Sequence, residues 1–192
     1  MAKLYPTLWR TCRMLSGATR LDLFRQVVAS PGLTVSTLAQ QAGISLPRAS
    51  QELRRLQSRG LLQAVRRGLH VQYRPVADRL VPTARPLLQA MQESFQRQPD
   101  NAAIVPIAVA FSHERRLALV QLLLRGPWNV AELGQAVGMS RNTLNRHLRC
   151  LRDAQLIRKT GKTIVLAEAD HPLARCLTGL LDSHPDAPAA PR

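Results

Sequence analysis

Six residues between positions 141 and 149 carry side chains suited to reading a patterned array of donors and acceptors: Arg141, Asn142, Thr143, Asn145, Arg146 and Arg149. The arginine fork meets two acceptors at once, and asparagine sets a donor beside an acceptor. Threonine offers a hydroxyl next to a methyl. Presented to a duplex, these groups match guanine, adenine, and a phosphate or thymine methyl respectively. No glutamate interrupts the set, as one commonly would on a merely solvated amphipathic helix.

Such residues are useful only if one element aims them together. Leu144, Leu148 and Leu151 fall at i, i+4 and i+7, which predicts a helix with one apolar stripe and the polar set opposite. Ser140 stands where an N-cap belongs. Asn129 with Glu132 three residues on forms a capping-box pattern, opening a preceding helix with Leu133 and Val137 inward. Gly138 ends that helix, as a left-handed C-terminal position requires. An earlier helix over 113–124 stops at Gly126-Pro127. Leu156 to Leu166 reads as strand, glycine turn, strand, and carries Arg158, Lys159 and Lys162. Two short helices around a tight turn, followed by a hairpin, predict a winged helix-turn-helix.

The pattern occurs twice. At a shift of 95, Gly43-Ile44-Ser45 returns as Gly138-Met139-Ser140, and Leu38, Leu53, Leu56 and Leu61 return as Leu133, Leu148, Leu151 and Leu156. After a one-residue gap, Arg20-Leu21 returns as Arg116-Leu117. In the first copy Thr34 and Ser45 are the expected caps, with Ala49, Leu53 and Leu56 inward. The outward face offers Leu46, Pro47, Arg48, Ser50, Gln51, Arg54 and Arg55. The hairpin Leu61–Arg74, turning at Arg67-Gly68-Leu69, adds Arg66, Arg67 and Arg74.

Charge follows the repeat. The 192 residues hold 27 basic and 12 acidic side chains, a net +15 with pI near 11.5, and a field of that sign attracts nucleic acid or an anionic membrane surface. Residues 18–76 and 112–167 each carry +7, leaving +1 for everything else. GC-rich coding accounts for arginine outnumbering lysine 24 to three, but not for that placement.

Other chemistries lack parts. There is no phosphate-binding glycine loop, metal-hydrolase motif or serine elbow, so no catalytic residue and no cofactor is assigned. His147 with Cys150, at i and i+3, can be drawn as a metal pair, but reads better as a phosphate-facing histidine beside a half-buried thiol. Asp170, His171, Cys176, Asp182 and His184 are too irregular to be ligands. Cys150, between Arg149 and Arg152, remains open as a redox-sensitive thiol. Three scattered cysteines make no disulfide framework, no signal peptide is evident, and the apolar run Ala102–Phe111 is too short to span a bilayer. The expectation is a soluble, cytoplasmic protein.

Flanking stripes at Leu8, Cys12 and Leu15, at Leu87, Leu88, Met91 and Phe95, and at Leu173, Leu177, Leu180 and Leu181 predict terminal helices for core or dimer packing. Gln96–Asn101 reads as a linker. The predicted organisation is a mainly α chain with small β-hairpin wings, as tandem winged helix-turn-helix domains over 1–97 and 98–182, then a disordered tail over 183–192.

The stretches LTVSTLAQQAGISLPRASQELRRLQSRGLLQAVRRGLHVQYRPV and WNVAELGQAVGMSRNTLNRHLRCLRDAQLIRKTGKTIVL resemble the ArsR-type winged-helix regulators. The resemblance implies a recognition helix in the major groove of double-stranded DNA, dimers held by terminal helices, and repression that a ligand often releases. Relatives that sense metals do so through cysteines near the start of the helix-turn-helix. Val35–Ala39 and Val130–Gly134 contain none, nor any histidine. Duplication within one chain departs from the single-domain form, leaving either a homodimer or an intrachain pseudo-dimer. A replication-initiator-like or architectural DNA-binding protein, and a winged-helix module for protein contacts, stand as alternatives.

Overall fold

The computed structural model describes residues 7–97 and 100–183. Helix α1 (Leu8–Leu15) leads into α2 (Ala18–Ala29), α3 (Val35–Gln41) and α4 (Leu46–Gln57). A two-stranded hairpin follows, β1 (Gln63–Arg67) with β2 (His70–Arg74), and then α5 (Ala84–Arg97). The same order then recurs. Helices α6 (Ile104–Ala110) and α7 (Glu114–Leu124) precede the short strand β3 (Trp128–Asn129), α8 (Val130–Ala136) and α9 (Arg141–Asp153). The hairpin β4 (Ile157–Thr160) with β5 (Thr163–Leu166) and the helix α10 (Pro172–Asp182) complete it. This is a mainly helical fold with small antiparallel wings, as a winged helix-turn-helix requires.

Both helix pairs turn at a left-handed glycine, and the second adds a capping box. Asn129 and Glu132 form a complete capping box at the start of α8, with Glu132 N donating to Asn129 Oδ1 at 2.9 Å. Gly43 and Gly138 take φ of +62° and +59°, the left-handed region where a side chain is strained, and so end α3 and α8. The turns close through equivalent bonds: Ile44 N donates to Ala39 O and Met139 N to Gly134 O, both at 3.0 Å. Ala49, Leu53 and Leu56 on α4, and Leu144, Leu148 and Leu151 on α9, are buried as their spacing predicts.

The capping of α4 differs from expectation. Ser45 occupies the N-cap but its hydroxyl makes no capping bond, whereas Thr34 and Ser140 accept from the N–H three residues on. Pro47, in the first turn of α4, has no N–H to give, which removes one of the two usual targets of a capping oxygen. The run Ala102–Phe111 holds a helix, α6, with Pro106 in the first turn, where its missing N–H costs nothing.

Buried side chains from both halves form one continuous core. Helix α1 packs on α6, and α5 packs on α10, so each of these helices meets its counterpart from the other half. Glu93 of α5 ties the second pair together, reaching Arg97 at 2.5 Å and Arg175 of α10 at 3.3 Å.

The junction is more tightly held than a linker. Helix α5 continues through Arg97, and Asp100 and Asn101 are gripped by Arg25 of α2. Arg25 donates to Asp100 O at 2.6 Å and Asn101 Oδ1 at 2.8 Å, and its guanidinium lies 4.5 Å from the Phe95 ring centre. Asn101 in turn donates to Asp22 Oδ1 at 2.6 Å. Of the predicted linker only residues 98 and 99 lie outside the described residues, as does the tail beyond 183.

A candidate nucleic-acid interface

Helix α9 places its polar set as the stripe demands. Arg141, Asn142, Asn145, Arg146 and Arg149 are all exposed, and Thr143 is half-buried. The Thr143 hydroxyl accepts from Ser140 Oγ at 3.1 Å, which leaves its own O–H available to a phosphate oxygen. Lys159 and Lys162 are exposed on the adjoining wing, with Arg158 beside them. The wing is held to its own helix-turn-helix by β3, which pairs with β5 at Trp128↔Ile164 and Asn129↔Thr163. The residue that caps α8 thus also anchors the wing.

The first half presents a different surface. Arg48, Gln51 and Arg54 are exposed on α4 and Ser50 is half-buried. Arg48 Nη2 lies 3.5 Å from Thr19 Oγ1. Arg55 turns to Glu52 at 2.9 Å, so it is partly neutralised. Arg66 and Arg67 are exposed on the outer part of the wing. At the head of α4, Leu46 is 52% exposed where α9 carries Arg141.

His147 does not face phosphate. It is 4% exposed, its ring 4.9 Å from that of His113, and its Nδ1 has no partner. Burial, then the neighbouring His113, Arg116, Arg146 and Arg115, depress its pKa to about 4. A neutral imidazole wedged between α7 and α9 is a packing residue that carries no positive charge at neutral pH. Its position, i+3 from Leu144, lies on the edge of the apolar stripe, which is the signal that places it inside.

Cys150 is half-buried, as expected. Burial pushes its thiol up, against the pull of Arg116, so the basic neighbours in sequence do not make a thiolate of it. Cys12 is fully buried, and burial pushes its thiol higher still. His171 caps α10, accepting from Leu173 N at 3.2 Å through Nδ1. Among the described residues no group of three or more His, Cys, Asp or Glu side chains is placed to hold a metal, and no helix is long and apolar enough to cross a membrane. His184 lies outside the described residues.

With this geometry in place, comparison with known proteins bears on the second half. Residues 113–159 match the arsR family of bacterial regulatory proteins. The matched stretch runs from the cap of α7 through the helix-turn-helix into β4, so it contains α9 entire. That family consists of DNA-binding regulators, not enzymes. No second copy of the match is detected in the chain. No curated protein matches the chain. The first half keeps the spacing of caps, glycines and core leucines but replaces Arg141-Asn142-Thr143 by Leu46-Pro47-Arg48.

Proposed function

We propose that this chain is a sequence-specific regulator of transcription that binds double-stranded DNA through two winged helix-turn-helix units, over 1–97 and 98–182. The observation that carries the reading is the outer face of α9. It is an exposed row of arginine and asparagine side chains on a helix whose opposite side is locked into the core. Arg141, Asn142, Asn145 and Arg146 take base edges, while Arg149, Lys159 and Lys162 take phosphate. In the first unit Arg48, Ser50, Gln51, Arg54, Arg66 and Arg67 do the same work with fewer base-reading groups.

The packing of α1 on α6 and of α5 on α10 supports an intrachain pseudo-dimer, in which one chain supplies both recognition helices. Repression by occupying a promoter is the simplest action of such a protein, in the cytoplasm where the bacterial chromosome lies.

Selection of bound sequences from random duplexes, followed by titration of the winner at several salt concentrations, tests the proposal. A defined motif should emerge, with affinity falling steeply as salt rises, because each phosphate contact releases counterions. Recovery of no motif, or an affinity flat from low to moderate salt, removes it. A helix used for protein contacts gives neither, and an architectural protein gives the salt dependence without the motif.

A further inference from the structure

The two wings are unequal in reach. In the first unit Thr34 bridges Gln72, and in the second the equivalent Asn129 pairs with Thr163, so both hairpins are anchored at the same point. Beyond that anchor the second wing turns at once, its last pair being Thr160↔Thr163. The first wing adds two more pairs, Arg66↔Val71 and Arg67↔His70, before it turns. Two residues of antiparallel strand carry its tip about 7 Å further out.

The tips also differ in chemistry. The turn is Gly-Leu in one wing and Gly-Lys in the other, so Leu69 stands where Lys162 stands. Leu69 is 96% exposed, the most exposed of the large apolar residues among those described, and Arg66 and Arg67 precede it. No acidic residue occurs on either strand of this wing. Between the wing and α4 runs an open groove of about 410 Å³, its walls largely apolar with Leu46, Leu69 and Val71 among them, and with Ser36, Ser50 and Arg54 as polar members. Its hydroxyls and guanidinium are phosphate donors.

We propose that the groove holds one phosphodiester strand, with α4 to its major-groove side, and that the first wing enters the adjacent minor groove. There Leu69 acts as an apolar wedge against a base step. An apolar side chain thrust between bases partly unstacks them and kinks the duplex, and arginines beside it suit the negative potential of a narrow minor groove. The occupant is DNA and not a protein because three exposed apolar side chains, Leu46, Leu69 and Val71, with arginines beside them fall far short of the roughly 800 Å² per partner of a stable protein interface. The second wing, tipped by lysine, stays on phosphate. This inference rests on the DNA-binding reading above.

The test uses the full chain and selected duplexes carrying 2-aminopurine at successive positions, with bending followed by fluorescence energy transfer between the duplex ends. The native protein should brighten the probe at one step and bend the duplex. Leu69→Ala, at a fully exposed position, should fold normally, abolish the brightening and weaken binding about tenfold, as loss of one leucine's burial implies, without altering the salt slope. Arg67→Ala should instead lower that slope by about one. If Leu69→Ala keeps both affinity and brightening, or if the native protein binds without brightening any step, the wedge is wrong while DNA binding stands. Failure of the native protein to bind any duplex removes both.

Discussion

Arg20 Nη2 meets Glu52 Oε2 at 2.6 Å, both side chains 12% exposed, and this ion pair fastens α2 to α4 beneath the outer face of the first unit. Arg20 also donates to Met14 O, and Glu52 accepts from Arg55. One repeat further along, Arg116 keeps the backbone role, donating from Nε to Ala110 O at 2.7 Å and from Nη2 to Val109 O at 2.6 Å. The place of Glu52, however, is taken by His147, which is neutral. The two halves thus support α4 and α9 differently, one by an ion pair and one by a buried ring.

Glu52→Gln should therefore destabilise the protein. It leaves the Arg20 guanidinium in a mostly buried site without its counter-charge. A loss of about 2 kcal/mol is expected, below the range for fully buried pairs because some solvent reaches this one. Urea unfolding reads it as a lower midpoint. A midpoint within error of the native protein would mean that Arg20 is held by the Met14 carbonyl alone.

His147 makes stability depend on pH. Its pKa is about 4 in the folded chain against 6.5 when unfolded, so between these values the unfolded state binds the extra proton. Stability is therefore fully present above about pH 6.5 and is lost as pH falls toward 4. The shift corresponds to roughly 3 kcal/mol in all. His113 and His171 are shifted in the same direction by burial, so the comparison must be with His147→Gln, which should flatten part of the slope. Unfolding midpoints at several pH values from 4 to 7 measure this, and identical slopes for both proteins would contradict it.

Base readers and phosphate holders should separate. Arg146→Ala and Asn142→Ala should weaken the selected site more than random DNA, by about 1–3 kcal/mol for a good bidentate contact. Lys162→Ala should weaken both about equally. Binding curves on the two kinds of duplex decide the matter, and parallel losses for all three would show that α9 is not the reader.

Much of this was legible in sequence because several signals coincide at each boundary. Around α9 a cap, a stripe of three leucines and a preceding glycine all agree, and the structure follows them. Where the signals were single or absent, sequence reasoning failed. Glu52 and His147 both lie at i+3 of their stripes, between Ala49 and Leu53 and between Leu144 and Leu148, and a polar residue type masked an inward position. Helix α6 is apolar on nearly every side because it packs against α1, α9 and α10, so it has no periodicity to detect. Strand β3 is two residues long, too short to alternate. The grip of Arg25 on Asp100 and Asn101 joins residues 75 and 76 positions apart, and no local pattern announces such a contact.

The last prediction concerns the operator. A single-domain regulator needs two identical chains to set two recognition helices one helical turn apart, about 34 Å, and so reads a palindrome. Here the terminal helices pair within the chain, α1 on α6 and α5 on α10, with Glu93 bridging the latter pair to Arg175. The buried residues of these helices include Cys12, Leu15, Leu87, Met91, Leu173 and Leu177, which are thus already covered within the chain. The chain should then bind DNA as a monomer, on a site with two unlike halves, since Leu46-Pro47-Arg48 and Arg141-Asn142-Thr143 present different groups. The half read by α9 should dominate specificity because it receives more base-reading side chains. Scrambling that half should cost most of the discrimination, and scrambling the other should cost less and act largely through the deformability of the step at the first wing. Light scattering of the complex, together with the selected sequences, measures both features. A stable dimer on a perfect palindrome would show that the pairing of helices inside the chain does not set the geometry on DNA.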